Sequence, residues 1–388
     1  MSGPLRRCAT AFVQTWRAVL HDAGALTLLF VATLIYSFFY PLPYSAEQVQ
    51  RVPVVVVDQD RSALSRQITR YAQAHPSVSV IEVTPDLAEA QHRLWRHESA
   101  GTLFLPTGLQ SKVQSGREAE VEVAGNGVYL LLNKAALNGL ADAVGTVSAG
   151  IEVKRLSAAS PSGAQTLAQR QPIGLNAVAL FNVREGYGAY IVPGVAVLIL
   201  QQTLLLAIAL MFGTWAERGG FPVSRDGAGY AGMLLAFASV ALINSAYYFG
   251  WVLWWQDYPR GGNFAGLLVF AVLFALCLAA FGMLLGSWFV TRERGGQLLL
   301  CVAMPSIFLS GLSWPVEAMP ELLRWARWLM PSTAGIEGFI ALNQLGARLP
   351  EVRLEAAALL ALLAACVPLG LWRWRRLARR ALNRADAG

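Results

Sequence analysis

Six runs without any Asp, Glu, Lys or Arg, each 17 to 31 residues long, constrain what this chain can fold into. A helix needs about 20 apolar residues to cross a bilayer, because about 30 Å of hydrocarbon must be covered at 1.5 Å per residue. The runs occupy residues 23–42, 186–216, 227–256, 261–291, 295–316 and 356–372. They predict an α-helical integral membrane protein with six transmembrane helices.

The overall composition agrees with a membrane protein and excludes a soluble one. Charged residues make up 14% of the 388 residues, against about 25% in ordinary globular proteins. Hydrophobic residues reach 55%, and so little charge cannot cover a soluble surface. The net charge of +7 is therefore interpreted as a topological signal, and no nucleic-acid partner is expected.

Basic residues in the short loops predict the orientation of the chain, because such loops stay in the cytoplasm. With the N-terminus inside, the cytoplasmic segments hold 13 arginines and the short outer loops hold five. The first run, 23–42, is longer than the roughly 7–15 apolar residues of a cleaved signal peptide, so we expect it to be retained. Both termini are predicted to be cytoplasmic, with residues 43–185 on the opposite side of the membrane.

Residues 43–185 alternate between strand and helix patterns and predict a small α/β domain inserted between transmembrane helices 1 and 2. The predicted strands are 52–57, 77–83, 101–105 and 119–124. Helical spacing marks the segments between them and a long helix over 130–156. Residues 157–171, rich in Ser, Ala, Gly and Gln, are expected to form a flexible link.

The remaining domain boundaries follow from the same runs. Residues 1–22 are predicted to form a cytoplasmic amphipathic helix, residues 186–372 the main transmembrane domain, and residues 373–388 a basic cytoplasmic tail. One side of the N-terminal helix carries Phe12, Val13, Trp16 and Leu20. This helix can contact a partner or lie on lipid headgroups, and the tail can bind anionic lipid or act only as an orientation signal.

Motifs for catalysis and nucleotide binding are absent from the sequence. No Gly-x-x-x-x-Gly-Lys-Ser/Thr loop is present to hold nucleotide phosphates, and no His-Glu-x-x-His pair is present to hold zinc. The six runs also contain no Asp, Glu, Lys, Arg or His, the side chains that proton-driven transport usually requires at bilayer depth. We predict no catalytic, cofactor or metal site, and expect any transport to be energised by a partner.

Three prolines, Pro315, Pro320 and Pro331, stand at and after the end of the fifth run. Proline removes a backbone donor, and broken backbone at membrane depth is tolerated only where protein or water satisfies it. Residues 314–345 are therefore predicted to be re-entrant at the outer face, with an interfacial loop bearing belt tryptophans as the alternative. The gate candidates are Gly311, Pro315, Met319, Pro320 and Pro331.

Polar side chains inside the runs are few. The candidates for lining a pathway are Gln201, Gln202 and Asn244, and interhelical hydrogen bonding is their alternative role. A route without charged groups suits an apolar or amphiphilic substrate, such as a drug, a lipid or a lipid-linked glycan.

Several motifs resemble those of type-2 ABC exporter permeases, the ABC-2 membrane family. The stretch 53–66, which begins Pro53-Val-Val-Val-Val-Asp58, resembles the start of that family's extracytoplasmic domain, and 101–106 resembles the strand that follows. Residues 181–194 resemble the entry into the second span. Residues 310–333 resemble the signature between spans five and six.

One loop departs from the family pattern. The family's loop after the second span commonly has an acidic-Gly-Thr core, whereas this chain has Glu217-Arg218-Gly219-Gly220-Phe221-Pro222 at that place.

The resemblance implies the permease subunit of an ATP-driven exporter in the bacterial cytoplasmic membrane. It implies that two such subunits pair, as a homodimer or a heterodimer, above cytoplasmic ATPase subunits that use ATP and Mg²⁺. A periplasmic adaptor and an outer-membrane channel stay open as further partners. The ATPase-coupling candidates are Trp16, Glu217, Arg218, Arg292, Glu293 and Arg294.

Two other functions stand as alternatives. The chain can be a membrane-anchored envelope scaffold whose periplasmic domain binds a partner protein, although a pure anchor needs only one or two spans. A membrane enzyme acting on lipid-linked substrates would need interfacial acids, for which the sequence offers Glu317, Glu321 and Glu337.

Overall fold

The computed structural model of the chain describes residues 3–159, 179–224 and 226–385. The chain divides into two compact units, a helical unit (Met1–Ser45 with Ala179–Gly388) and an α/β unit (Ala46–Val178). Positions 160–171 of the predicted link and 386–388 of the predicted tail lie outside the described residues. Positions 157–159 of that link continue a helix instead.

Helices dominate the described residues. In chain order they are α1 (Pro4–His21), α2 (Ala23–Leu26), α3 (Thr33–Phe39), α4 (Ala63–Ala74), α5 (Leu87–Trp95), α6 (Leu109–Gln114), α7 (Leu130–Ala159), α8 (Tyr187–Glu217), α9 (Gly227–Ala246), α10 (Leu253–Trp255), α11 (Phe264–Gly286), α12 (Arg292–Leu309), α13 (Glu321–Ala326), α14 (Pro331–Asn343) and α15 (Arg353–Ala385). The strands are β1 (Val52–Asp58), β2 (Val78–Thr84), β3 (Gly101–Leu105) and β4 (Glu122–Gly125).

Five helical stretches among the described residues are long and apolar enough to cross a membrane. They are Ala23–Tyr44, Tyr187–Glu217, Gly227–Trp255, Phe264–Gly286 and Leu349–Arg376. The first and third contain a π-helical turn each, Thr27–Ala32 and Tyr247–Val252. The chain is therefore a mostly helical membrane protein, in which the predicted runs one, two, three, four and six form candidate spans.

The predicted fifth run, 295–316, differs from the expectation. The helix α12 begins at Arg292, so charged residues occupy its first turn, and it ends at Leu309. Gly311 follows with φ +84°, a left-handed conformation that ends helical geometry. The uncharged part, 295–309, covers about 22 Å at 1.5 Å per residue, which is shorter than the hydrocarbon layer.

The prolines of the predicted re-entrant segment each stand at the start of a short helix. Pro315 precedes a 3₁₀ turn, Pro320 precedes α13, and Pro331 is the first residue of α14. Proline suits this position because the first N–H groups of a helix have no partner within it. The prolines therefore define a series of short helices rather than interrupting one long helix.

The α/β unit is built on a four-stranded sheet with the strand order β2-β1-β3-β4. The central strand β1 pairs in parallel with β2 and β3, while β4 is antiparallel to β3. Val54 and Val56 pack in one core with residues of α4 and α7, and Val55 and Val57 pack with Ala90 of α5. A strand covered on both faces reads as a continuous apolar run, which explains the valines of β1.

The helix α8 lies at the centre of the helical unit and contacts α11, α12 and α14. At its side, α1 packs on α9 through a stripe of small residues spaced by four, Ala11, Thr15 and Val19. The large side chains Val13 and Leu20 of the predicted apolar side are exposed instead. Gly232 of α9 permits the approach, because a Cβ there would lie 2.3 Å from the carbonyl oxygen of Cys8.

This close approach predicts opposite effects for two helical glycines. Gly232→Ala is expected to destabilise the protein by about 1–3 kcal/mol, because the new methyl group meets the backbone of α1. Gly296→Ala is the control, since no atom lies within 4 Å of its added Cβ, and alanine favours a helix by about 1 kcal/mol. Thermal unfolding of both purified variants in detergent measures the difference, and equal midpoints would contradict the packing of α1 on α9.

Candidate functional site

An ion pair joins two helix ends at the end of the helical unit where α1 meets α2. Arg292 donates from Nη1 to Oδ2 of Asp22 at 2.7 Å and from Nη2 to Oδ1 at 3.0 Å. The same carboxylate accepts the N–H of Ala25 at 2.9 Å and so caps α2. A bidentate Arg–carboxylate pair is strong and fixes the relative orientation of its partners. It therefore fixes the start of α12 against the corner between α1 and α2.

Arg292 also holds the last turn of α8. Its Nη1 donates to the hydroxyl of Thr214 at 2.7 Å, and its backbone N–H donates to Oε1 of Glu217 at 2.9 Å. The exposed fraction of the side chain is 34% for Arg292 and 17% for Asp22. We call Asp22, Thr214, Glu217 and Arg292 the Arg292 cluster. It connects the α1–α2 corner, the end of α8 and the start of α12.

Two glycines make room for the Arg292 cluster. A Cβ on Gly24 would lie 2.3 Å from Nη2 of Arg292, and one on Gly213 would lie 2.6 Å from its backbone nitrogen. Contacts that short do not occur between real atoms, so a side chain at position 213 would push α8 away from the start of α12, and one at position 24 would displace the guanidinium of Arg292. Small residues of this kind let helix backbones approach closely in membranes.

The guanidinium of Arg292 also sets the charge state of Asp22. Its hydrogen bonds, opposed by partial burial and supported by the N–H of Ala25, hold the pKa of Asp22 below its ordinary value of 3.8. A carboxylate with a lowered pKa contributes stability above its unfolded-state pKa and loses it as the pH falls through the folded-state pKa. The pair therefore remains ionised throughout the neutral range.

The structure brings together only some of the predicted coupling residues. Glu217 and Arg292 meet in the Arg292 cluster, while Arg218, Glu293 and Arg294 are exposed beside it. Trp16 lies apart from the cluster, since its Nε1 donates to the hydroxyl of Ser239 at 2.9 Å and its ring stacks on Phe30.

Two members of the cluster, Asp22 and Thr214, were missed from the sequence. The available signal was Asp22 itself, which is the first acidic residue of the chain and stands directly before the first uncharged run.

Asn244, a pathway candidate, belongs to a series of hydrogen bonds between the first and third candidate spans. Its Nδ2 donates to the carbonyl oxygen of Leu29 at 2.9 Å. Two further donors reach the same span: Tyr248 Oη to the Thr33 carbonyl at 3.0 Å and Gln256 Nε2 to the Ser37 carbonyl at 2.8 Å. The accepting carbonyls are spaced by four residues, so they lie along one helix face. Here Asn244 makes the interhelical contact that was its alternative role.

The two glutamines of α8 differ in their contacts. Gln201 Oε1 accepts the backbone N–H of Ser332 at 2.8 Å and thereby connects α8 to the first turn of α14. The amide nitrogen and oxygen of Gln202 are both buried, and neither has a hydrogen-bond partner among the described residues. Gln202 therefore keeps an unused polar group in the middle of a candidate span.

The gate candidates stand at a turn and at the starts of several short helices. Gly311 makes the turn after α12, and the next residue, Leu312, packs against Gly194 of α8 and accepts the hydroxyl of Tyr190 at 2.8 Å. Met319 is buried, whereas Pro315, Pro320 and Pro331 stand at separate helix starts. This corner is therefore held on α8 through Leu312.

The acids considered for an enzyme stand on three different helical elements. Glu337 of α14 accepts Nη1 of the buried Arg327 at 2.6 Å, Glu317 lies in the 3₁₀ turn after Pro315, and Glu321 is the first residue of α13. Over the described ranges, no three His, Cys, Asp or Glu side chains come close enough to hold a metal ion.

Helices of membrane-spanning length beside an inserted α/β unit define a membrane-embedded helical protein. Residues 25–372 match the family model described as ABC-2 family transporter protein. Because that match covers most of the chain, the protein belongs to the ABC-2 family of transporter permeases, whose members are transmembrane subunits rather than catalytic ones. The resemblance seen in the motifs is thus confirmed.

Two named relatives agree with this family. The chain is 23% identical to the linearmycin resistance permease protein LnrN of Bacillus subtilis, over 89% of this chain and 93% of the relative. It is 20% identical to the probable multidrug ABC transporter permease YbhR of Escherichia coli, over 81% of this chain and 83% of the relative.

The Arg292 cluster predicts a pH-dependent difference between the protein and its Asp22→Asn variant. Asparagine still caps a helix but cannot form the ion pair, so the variant is expected to unfold about 2–4 °C lower. The difference is expected to be constant between about pH 5 and 8 and to shrink as the pH falls below about 4, because the wild-type carboxylate is then neutralised. Thermal unfolding across this range checks both parts, and a difference that grows on acidification would rule out the ionised pair.

Proposed function

We propose that this chain is the permease subunit of an ABC exporter that moves an apolar or amphiphilic substrate out across the cytoplasmic membrane. The energy comes from separate ATPase subunits that use ATP and Mg²⁺. The observation that carries this proposal is the Arg292 cluster, in which one side chain connects three helix ends beside the exposed residues Arg218, Glu293 and Arg294. A partner that displaces this surface therefore moves several membrane helices together.

The class of substrate is argued from what lines the helices and from the relatives. The uncharged runs provide no counter-ion for a charged hydrophilic solute. Such a solute is disfavoured, because transferring an unpaired charge into hydrocarbon is costly. The names of the two relatives refer to linearmycin resistance and to multidrug transport, which supports a drug as the cargo. The unpartnered amide of Gln202 is the group we propose for the polar end of an amphiphile.

The proposed topology has six crossings. The short helix α12 crosses together with residues 310–316, and a bilayer can thin locally to match a short hydrophobic length. Both termini and the Arg292 cluster then face the cytoplasm, and residues 43–185 face the periplasm. A second permease copy or a paralogue completes the transporter, and the periplasmic domain is free to engage an adaptor and an outer-membrane channel.

The coupling mechanism follows from the contacts around Arg292. Closure of the ATPase subunits displaces the exposed surface, and the bidentate contact with Asp22 transmits the movement to the first span. The first and third candidate spans move as one body because three hydrogen bonds join them. The central helix α8 receives the same movement through Thr214, so a path can open between the two permease halves.

The test is transport by a purified complex. The chain is co-expressed with each ABC ATPase subunit encoded in the same genome, purified, and reconstituted in liposomes with an apolar fluorescent dye as probe. We expect co-purification and ATP-dependent dye movement in the wild type, and about a fivefold or greater loss in Arg292→Gln, in line with ordinary coupling free energies. Arg17→Ala, an exposed arginine of α1, is the matched control and is expected to behave as wild type.

Two outcomes oppose the proposal. Dye movement driven by a proton gradient in the absence of any ATPase would falsify it. Failure of every encoded ATPase to co-purify with the chain would favour the envelope scaffold instead.

A further inference from the structure

An aromatic cluster fixes the loop between α8 and α9 against the ends of α8 and α15. The ring of Phe221 lies 5.4 Å from that of Phe212, 5.6 Å from that of Trp215 and 4.7 Å from that of Trp374, each in an edge-on arrangement. Phe212 and Trp215 belong to the end of α8, whereas Trp374 belongs to α15 and is 1% exposed. Edge-to-face ring pairs contribute about 0.5–1.5 kcal/mol each beyond their burial. Phe221 therefore connects the loop to the last membrane helix.

This cluster lies where the sequence departs from the family pattern. Gly219 has φ +73°, a conformation that side chains disfavour, and it ends α8 by donating its N–H to the carbonyl of Ala216. The turn directs Phe221 back onto the helix it has just left. The acidic-Gly-Thr core is thus replaced by a turn with an apolar anchor, and the loop keeps a defined position.

The neighbouring loop reaches the same part of α15. Trp288 lies between α11 and α12, and the guanidinium carbon of Arg373 lies 4.2 Å from the centroid of its ring. This is a cation–π contact, which is favourable at this distance. The consecutive residues Arg373 and Trp374 therefore contact two different loops, and both loops border the Arg292 cluster.

The end of α15 also has features of a movable element. Pro368 removes one backbone hydrogen bond inside this helix and provides a point of bending. Trp374 Nε1 and Tyr230 Oη are both buried, and neither has a hydrogen-bond partner in the described part of the chain. Leaving such groups unpaired costs about 1–3 kcal/mol each. A second position of the helix end that paired these groups would recover this cost.

We infer that Phe221 and Trp374 form a clamp through which the two loops drive α15, so that the last membrane helix is moved by the ATPase together with α8 and α12. This inference rests on the proposed exporter function, because it needs a partner that displaces the loops. Phe221 and Trp374 are positioning residues: they touch no substrate and act through the helix that they hold.

Labelling of a native thiol, Cys366, measures the movement of α15 and does not require that the substrate be identified. Cys366 lies in α15 two residues before Pro368 and is 4% exposed. In a variant whose other cysteines are replaced by serine, the rate of Cys366 labelling by N-ethylmaleimide is measured in the complex with its ATPase, with and without ATP and vanadate. We expect trapping of the ATPase by ATP and vanadate to change this rate by about fivefold or more, as ordinary coupling free energies imply.

The variants separate coupling from simple packing. Trp374→Ala and Phe221→Ala are expected to abolish the effect of trapping on the labelling rate, and Trp374→Phe to retain it because the ring contact is kept. Trp372→Ala is the matched control, since Trp372 is 49% exposed and stacks on Arg376 of its own helix. The dye moved per ATP hydrolysed is expected to fall in the two alanine variants and to stay constant in the control. A purely structural role would reduce the amount of folded complex and leave this ratio unchanged.

Each result decides the inference. It is overturned if the wild-type complex hydrolyses ATP while its Cys366 labelling rate is the same with and without ATP and vanadate. It is also overturned if Trp372→Ala loses the change in labelling rate as completely as Trp374→Ala. Failure of the proposed function is a different observation, because no ATPase would then co-purify with the chain.

Discussion

The contact between Asp22 and Arg292 determines how the helix ends are arranged. Apolar packing inside a membrane is hardly directional, because lipid tails are as apolar as the side chains, so polar contacts specify which helix ends meet. The guanidinium of Arg292 donates to a carboxylate and a hydroxyl, and the backbone N–H of the same residue donates to a second acid, Glu217. A partly buried charge must be paired to avoid a large desolvation cost, so the elements that provide those partners stay together.

The membrane helices were the most predictable part of the fold, because the hydrocarbon layer excludes charge over a fixed length. The same rule does not locate the helix end in the fifth run: counting uncharged residues does not detect the left-handed Gly311, which ends α12 before the run is over, and the crossing of this run stays a prediction. In the α/β unit, the valine run of β1 predicted a strand correctly. The fourth strand begins three residues later than predicted, at Glu122, in a region where apolar and charged residues alternate.

Residue types at the candidate site were easier to predict than their contacts. Glu217 and Arg292 stood out as charges beside uncharged runs, yet 75 positions separate them, and their meeting depends on the close approach at Gly213. A glycine in an apolar run carries no sequence signal of a close approach. Asn244 shows the same limit, since an amide at that position suits both a pathway and an interhelical bond, and only the position of the Leu29 carbonyl distinguishes them.

The departure in the loop after α8 shows how a position can be kept while its chemistry changes. A loop stabilised by its own polar side chains keeps those contacts when it moves, whereas Phe221 obtains its position from the ends of α8 and α15. On the proposed function, the ATPase then meets a surface held by both helix ends, and movement of the loop away from them would expose the three ring contacts of Phe221 to water. Because exposing them is costly, the loop and the end of α15 move as one body.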